Sequence, residues 1–252
     1  MRGWAPHSES GVHEGILKMH VNFAGLNEPT RLVLVHMGDS ITFGQHIDPG
    51  VRWTSLIASR LAAASDGGAL EVTSINSGVS GDTTRMGLER FPVAVQAHRP
   101  DVVTIQFGLN DCNCWETDCG IPRVTEAAYA ANLVEMVARS RRFGAQQVIL
   151  ATNHPTRRRE AMASGEVYED ANARYSEIVR GVAATTAVTL CDVRLAFSGL
   201  SDRELADMLL PKPDVLHLSE AGNRLYADAI WPAIQNAVRA IASPPARVSE
   251  SR

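Results

Sequence analysis

LVLVHM at residues 32–37, running directly into GDSITFG at 38–44, is the stretch from which the architecture can be worked out. Five β-branched or otherwise apolar residues, broken only by His36, describe a strand covered on both faces, and the Gly-Asp-Ser turn that follows ends it. Comparable runs recur at LEVTSIN (70–76), VVTIQF (102–107), QVILAT (147–152) and AVTLCDV (187–193), each separated from the next by a segment with helical spacing. Ala130, Leu133, Val134 and Val137 fall at i, i+3, i+4 and i+7, with Arg139, Arg141 and Arg142 near the end of that helix and Gly144 after it. Trp53 to Ala64 carries Trp53, Leu56, Ile57 and Leu61 on one side, and Ala221 to Ala240 repeats the trend behind Ser219 and Glu220. Five strands alternating with helices predict an α/β fold, a parallel sheet wrapped on both faces by right-handed crossovers.

With 252 residues, 45% of them apolar, the chain can bury one substantial core, and no repeat, low-complexity tract or linker divides it. Residues 1–29 read as an irregular lead-in, 30–242 as the folded domain and 243–252 as a flexible tail; Met19 is an alternative start. A net charge of -4 gives no reason to expect nucleic acid or an anionic membrane as partner. Glu9, His13, Glu14 and Lys18 interrupt any signal-peptide core, and no apolar run is long enough to span a bilayer, so a cytoplasmic protein is expected. Four cysteines without an export signal make a disulfide framework improbable.

Ligands of an open parallel sheet bind at the carboxyl ends of its strands. Here those ends carry Gly38-Asp39-Ser40, then Asn76-Ser77-Gly78-Val79-Ser80-Gly81-Asp82, then Gly108-Leu109-Asn110-Asp111, then Asn153-His154-Pro155. Ser40 follows its strand directly, where its hydroxyl would stand at the sheet edge beside backbone N–H groups. His217 lies just before the last helix, and Asp214, three residues earlier, can fold back to accept its other ring N–H. Gly78 and Asn110 would supply a backbone N–H and a side-chain amide to a developing oxyanion, joining the Ser40 N–H. A turn serine, a histidine after a strand and a Gly-x-Asn-Asp turn are each commonplace; their placement along one sheet edge is what points to acyl transfer.

Ser40 in GDS, Gly78 in GVSGDTT, Asn110 in GLND, and Asp214 with His217 in DVLH resemble the four blocks of the SGNH/GDSL hydrolase family, in order. The resemblance spans residues 31–240 and is closest to small arylesterase and lysophospholipase-like members. It implies a three-layer α/β/α sandwich of flavodoxin-like type, with sheet order 2-1-3-4-5. It also implies a Ser40–His217–Asp214 triad, and an oxyanion hole from the Ser40 and Gly78 N–H groups and the Asn110 side chain. The Gly-x-Ser-x-Gly elbow of lipases is absent around Ser40. Neither metal nor organic cofactor is required, and the expected partner is a small acyl ester.

Family resemblance leaves the substrate open. Cys112, Cys114 and Cys119 lack the paired spacing of zinc sites and read as free thiols. Trp115 could form an apolar or sugar-stacking wall, or belong to the core. Arg157-Arg158-Arg159 reads as a solvated run, with an anion clamp at Arg157 as the sharper alternative. His154, at a strand end but without a nearby carboxylate in sequence, is assigned to the pocket lining, as is Asp39. No long apolar insertion exists to build a lid or acyl tunnel, which favours short acyl groups. Lipid or thioester hydrolysis, acyl transfer to another acceptor, and a non-catalytic binding role are the alternatives.

Overall fold

A computed structural model of the chain describes residues 30–64 and 70–242. The lead-in 1–29, with Met19, and the tail 243–252 lie outside the described residues. Five parallel strands, β1 (Thr30–Gly38), β2 (Leu70–Gly78), β3 (Val102–Gln106), β4 (Gln147–Ala151) and β5 (Thr189–Cys191), form one sheet in the order β2-β1-β3-β4-β5. The helices are α1 (Ser40–Phe43), α2 (Trp53–Ala64), α3 (Thr84–Ala94), α4 (Glu126–Arg142), α5 (Tyr168–Thr186), α6 (Val193–Phe197), α7 (Asp202–Met208) and α8 (Glu220–Ala242). Helices α2 and α8 pack on each other and on the sheet, with α6 and α7 against α8; α3, α4 and α5 make the other layer. This is the expected three-layer sandwich. No helix among the described residues is long and apolar enough to cross a membrane.

Burial follows strand position. Every residue of the central β3 is buried, and Leu34, Val35 and Met37 of β1 are fully so, while the edge strand β2 alternates between exposed and part-buried residues. The fifth strand is shorter than the apolar run at 187–193 suggests. Ala187 takes a left-handed conformation (φ 50°) to close α5, and Asp192 leaves the strand to cap α6, accepting from Leu195 N–H. Local capping wins over β propensity at both ends.

Trp53 connects the core to the sheet edge. Its indole is fully buried against Tyr226, with ring centroids 4.8 Å apart, and its Nε1–H donates to the Ile41 carbonyl in α1 at 2.9 Å. Trp53→Phe keeps an aromatic ring but leaves that carbonyl without its partner, a loss of roughly 1–3 kcal/mol. For a domain of this size the melting temperature should then fall by roughly 2–12 °C. Calorimetry that finds the wild-type melting temperature would show that the indole bond does not hold α1.

Candidate active site

β1 and β2 end together, with Gly38 paired to Gly78 in the last rung. Asp39 then caps α1, its Oδ1 accepting from Ile41 N–H at 2.9 Å, and Gly44 (φ 75°) closes the helix after a single turn. Ser40 is the first residue of that turn, so its own N–H has no intrahelical acceptor. The carbonyls behind it are pinned: Trp53 holds that of Ile41, and Asn76 Nδ2 donates to that of Thr42 at 2.8 Å.

His217 comes to Ser40 from the segment between α7 and α8. Its Nε2 lies 2.9 Å from Ser40 Oγ and its Nδ1 2.7 Å from Asp214 Oδ2. Asp214 Oδ1 also accepts from the N–H groups of Leu216 (2.9 Å) and His217 (2.7 Å). Burial works against ionisation of Asp214, but these bonds outweigh it and hold the carboxyl below its ordinary pKa. As a fixed anion it orders the imidazole with Nδ1 protonated and Nε2 free to accept from the serine. The turn requires Val215 in the left-handed region (φ 51°), a strained conformation for a β-branched residue. Three bonds hold it there: Arg157 N–H to Val215 O, His154 Nε2–H to Leu216 O, and Leu210 N–H to His217 O, at 2.8–3.0 Å.

Asn110 and the loop after β2 complete the edge. Asn110 Nδ2 donates to the Asp82 carbonyl at 3.0 Å, which leaves its second amide hydrogen available. Gly78 does not fit the donor role expected of it. It is buried, and its N–H already donates to Asn76 Oδ1 at 2.9 Å. Its lack of a side chain serves packing, because a Cβ there would lie 2.2 Å from Phe43 N. Three residues on, Gly81 has the properties wanted: φ 84°, open space around its Cβ position, and an N–H without a hydrogen-bond acceptor among the described residues. Arg90, unnoticed in the sequence, fastens this loop to the strand ends by bonding Asp82 Oδ2, the Ser77 carbonyl and the Gly38 carbonyl.

Residues 36–225 match the GDSL-like lipase/acylhydrolase family. The chain belongs to that family. It is 31% identical over 122 residues to an arylesterase of Vibrio mimicus, a match covering 48% of this chain and 55% of the relative. The chain thus spans about half the length of that curated relative. A lipase/acylhydrolase from Enterococcus faecalis superposes with a TM-score of 0.66 at 27% identity, covering 81% of this chain and 96% of that one. An acetyl-xylooligosaccharide esterase from Geobacillus stearothermophilus, in a mutant form, superposes at 0.61 with 25% identity, over 81% and 94% of the two chains.

Other expected pocket residues of this GDSL family member lie elsewhere. Asp39 is fully buried, so it does not line the pocket; burial pushes its carboxyl up to about 7 against the opposing bond from Ile41 N–H. His154 is fully buried too, and burial lowers its pKa to about 4, so it is a neutral donor behind the His217 turn. Arg157 lines a separate cleft of about 220 Å³ with Arg159, Asp202 and Lys212. Trp115 is 49% exposed, with the Arg123 guanidinium 4.4 Å over its ring, and Arg123 also donates to the Gly81 carbonyl. Cys112 and Cys114 are buried thiols and Cys119 an exposed one. His46, which the sequence did not single out, stands edge-on to His217 with ring centroids 5.6 Å apart. The depression around Ser40, Gly44, Gln45 and His217 is shallow, too small to enclose a water molecule.

Gly78→Ala separates the packing role from the donor role. The new methyl meets backbone rather than a movable side chain, so stability should fall by at least the roughly 1–3 kcal/mol typical of overpacking. An unaltered denaturation midpoint combined with a selective loss of turnover would return Gly78 to the oxyanion site.

Proposed function

We propose that this chain is a serine esterase that removes short acyl groups, O-acetyl above all, from carbohydrates or small molecules through a Ser40 acyl-enzyme. The observation that carries the reading is the unbroken line from Asp214 through His217 to Ser40 Oγ, at 2.7 and 2.9 Å. Ser40 Oγ attacks the ester carbonyl carbon as His217 Nε2 takes its proton. The resulting oxyanion is held by the N–H groups of Ser40 and Gly81 and by Asn110 Nδ2. Collapse breaks the bond to the alcohol, which leaves with the proton from His217. Water then attacks the acyl-enzyme with His217 again as base, and the acid leaves as Ser40 regains its proton.

Short acyl groups are favoured by the lack of a long apolar insertion between the strands that could build a lid or acyl tunnel. The likeness to an acetyl-xylooligosaccharide esterase supports the same preference. Trp115, half exposed and stacked on the Arg123 that bonds the Gly81 carbonyl, suits the apolar face of a sugar or aryl ring.

Two measurements test the reading. Asn110→Ala should lower kcat by about 10²–10³ while a fluorophosphonate probe still labels Ser40; turnover close to wild type would remove Asn110 from the mechanism. Across p-nitrophenyl esters of increasing chain length, kcat/KM should be highest for acetate, and acetylated sugars should be turned over as well. An optimum at long chains would replace the acetyl assignment by a lipid or thioester one.

A further inference from the structure

His46 has no part in the acyl-transfer scheme, yet it stands directly beside it. One potential ligand atom from each of His46, Asp214 and His217 lies within 4.8 Å of the other two. The two imidazoles meet edge to face, at 88°. His46 is exposed, in a left-handed backbone conformation (φ 64°) two residues after α1 is capped. Gln45 Nε2 donates to His46 Nε2 at 2.9 Å, so Nε2 is the nitrogen with the lone pair, and an ion would take it in exchange for the Gln45 bond. Two imidazoles and one carboxylate are the donor set of a borderline transition-metal ion, not of magnesium or calcium.

We propose that a divalent transition-metal ion, zinc in particular, binds between His46 and the His217–Asp214 pair and reversibly switches the esterase off. Zn–N bonds of about 2.0–2.1 Å in a tetrahedral site bring ligand atoms to roughly 3.3 Å from one another. His46 approaches from the surface, and where His217 ligates through Nδ1 the Nδ1–Oδ2 pair, now 2.7 Å apart, opens by roughly 0.6 Å as it exchanges its mutual bond for bonds to the ion. Solvent completes the coordination from the open side. Whichever nitrogen of His217 the ion takes, the relay is lost: Nε2 on the metal no longer accepts from Ser40, and Nδ1 on the metal no longer donates to Asp214. The ion is an inhibitor here and supplies no step of the reaction.

The switching half of this proposal rests on the serine-esterase reading; the binding half does not. Zinc is therefore titrated calorimetrically into the full chain, into His46→Gln, and into His98→Gln as a control for the other histidines, of which the chain has eight. His98 is exposed and remote in sequence from the cluster. Hydrolysis of p-nitrophenyl acetate is followed in parallel, with zinc, with magnesium and after EDTA. One zinc site should weaken by about 10-fold or more in His46→Gln, and the half-inhibiting zinc concentration should rise by the same factor. His98→Gln should match wild type, magnesium should have no effect, EDTA should restore activity, and His46→Gln without metal should turn over as wild type does. Equal zinc binding by wild type and His46→Gln overturns the proposal. A chain that binds zinc through His46 but hydrolyses no ester overturns the functional reading instead.

Discussion

The approach of α1 to the ends of β1 and β2 is the constraint on which the site depends. Gly38 and Gly78 face each other in the last rung, and neither has room for a Cβ: one would meet Thr42 Oγ1 at 2.1 Å, the other Phe43 N at 2.2 Å. Any side chain at either position would lift α1 from the sheet edge, and Ser40 with it. Asn76 converts this contact into a bonded joint, since its amide reaches the Thr42 carbonyl and Thr54 Oγ1 while its oxygen takes the Gly78 N–H. A one-turn helix has almost no stability of its own. Its rigidity is borrowed from the strands, from Asn76 and from the Trp53 indole.

The second half of the machinery, the 214–217 turn, is held by a different means. Strain at Val215 is offset by bonds from two sides, with Arg157 and His154 supplied by the segment after β4 and Leu210 by the end of α7. His154 is suited to this because it is dry. Desolvation keeps it neutral around pH 7, and a neutral ring with its proton on Nε2 is a steady donor to Leu216 O. On the proposed mechanism, a charged imidazolium so close to His217 would oppose the positive charge that His217 gains when it takes the serine proton. The histidine that sequence placed at the pocket wall instead acts through the backbone of the one at its centre.

These two mechanisms explain what could be read in the sequence. The five strands and the sandwich followed from apolar runs of the right length, because burial on both faces leaves a one-dimensional trace. Ser40, Asn110, Asp214 and His217 were found because each sits within a few residues of a strand end or helix start, so local position fixed its neighbourhood. Gly78 and Gly81 lie in one glycine-bearing stretch, and choosing between them needs the direction of an N–H, which composition does not encode. The φ of 84° at Gly81, the Asn76 bond to Gly78 and the room at the two Cβ positions distinguish them. Asp39 and His154 looked like pocket residues because polar side chains at a sheet edge usually face solvent; here both turn inward to complete the backbone's hydrogen bonding. Arg90 reaches the Gly38 carbonyl across 52 residues of chain and His46 meets His217 from still farther, and no local pattern carries such a contact.

Trp115 is coupled to the Gly81 loop through Arg123. Its guanidinium lies over Trp115 and donates to the Gly81 carbonyl, while Asn110 holds the next carbonyl, that of Asp82. Arg90 grips the Asp82 carboxylate from the strand side. The loop that presents the Gly81 N–H is therefore fixed at successive residues, and one of its clamps is the residue that supports the exposed tryptophan. A ring resting on Trp115 presses on a side chain bonded to the oxyanion loop rather than on a free surface. On the proposed mechanism, truncating Trp115 would loosen Arg123 and with it the loop that presents the Gly81 N–H.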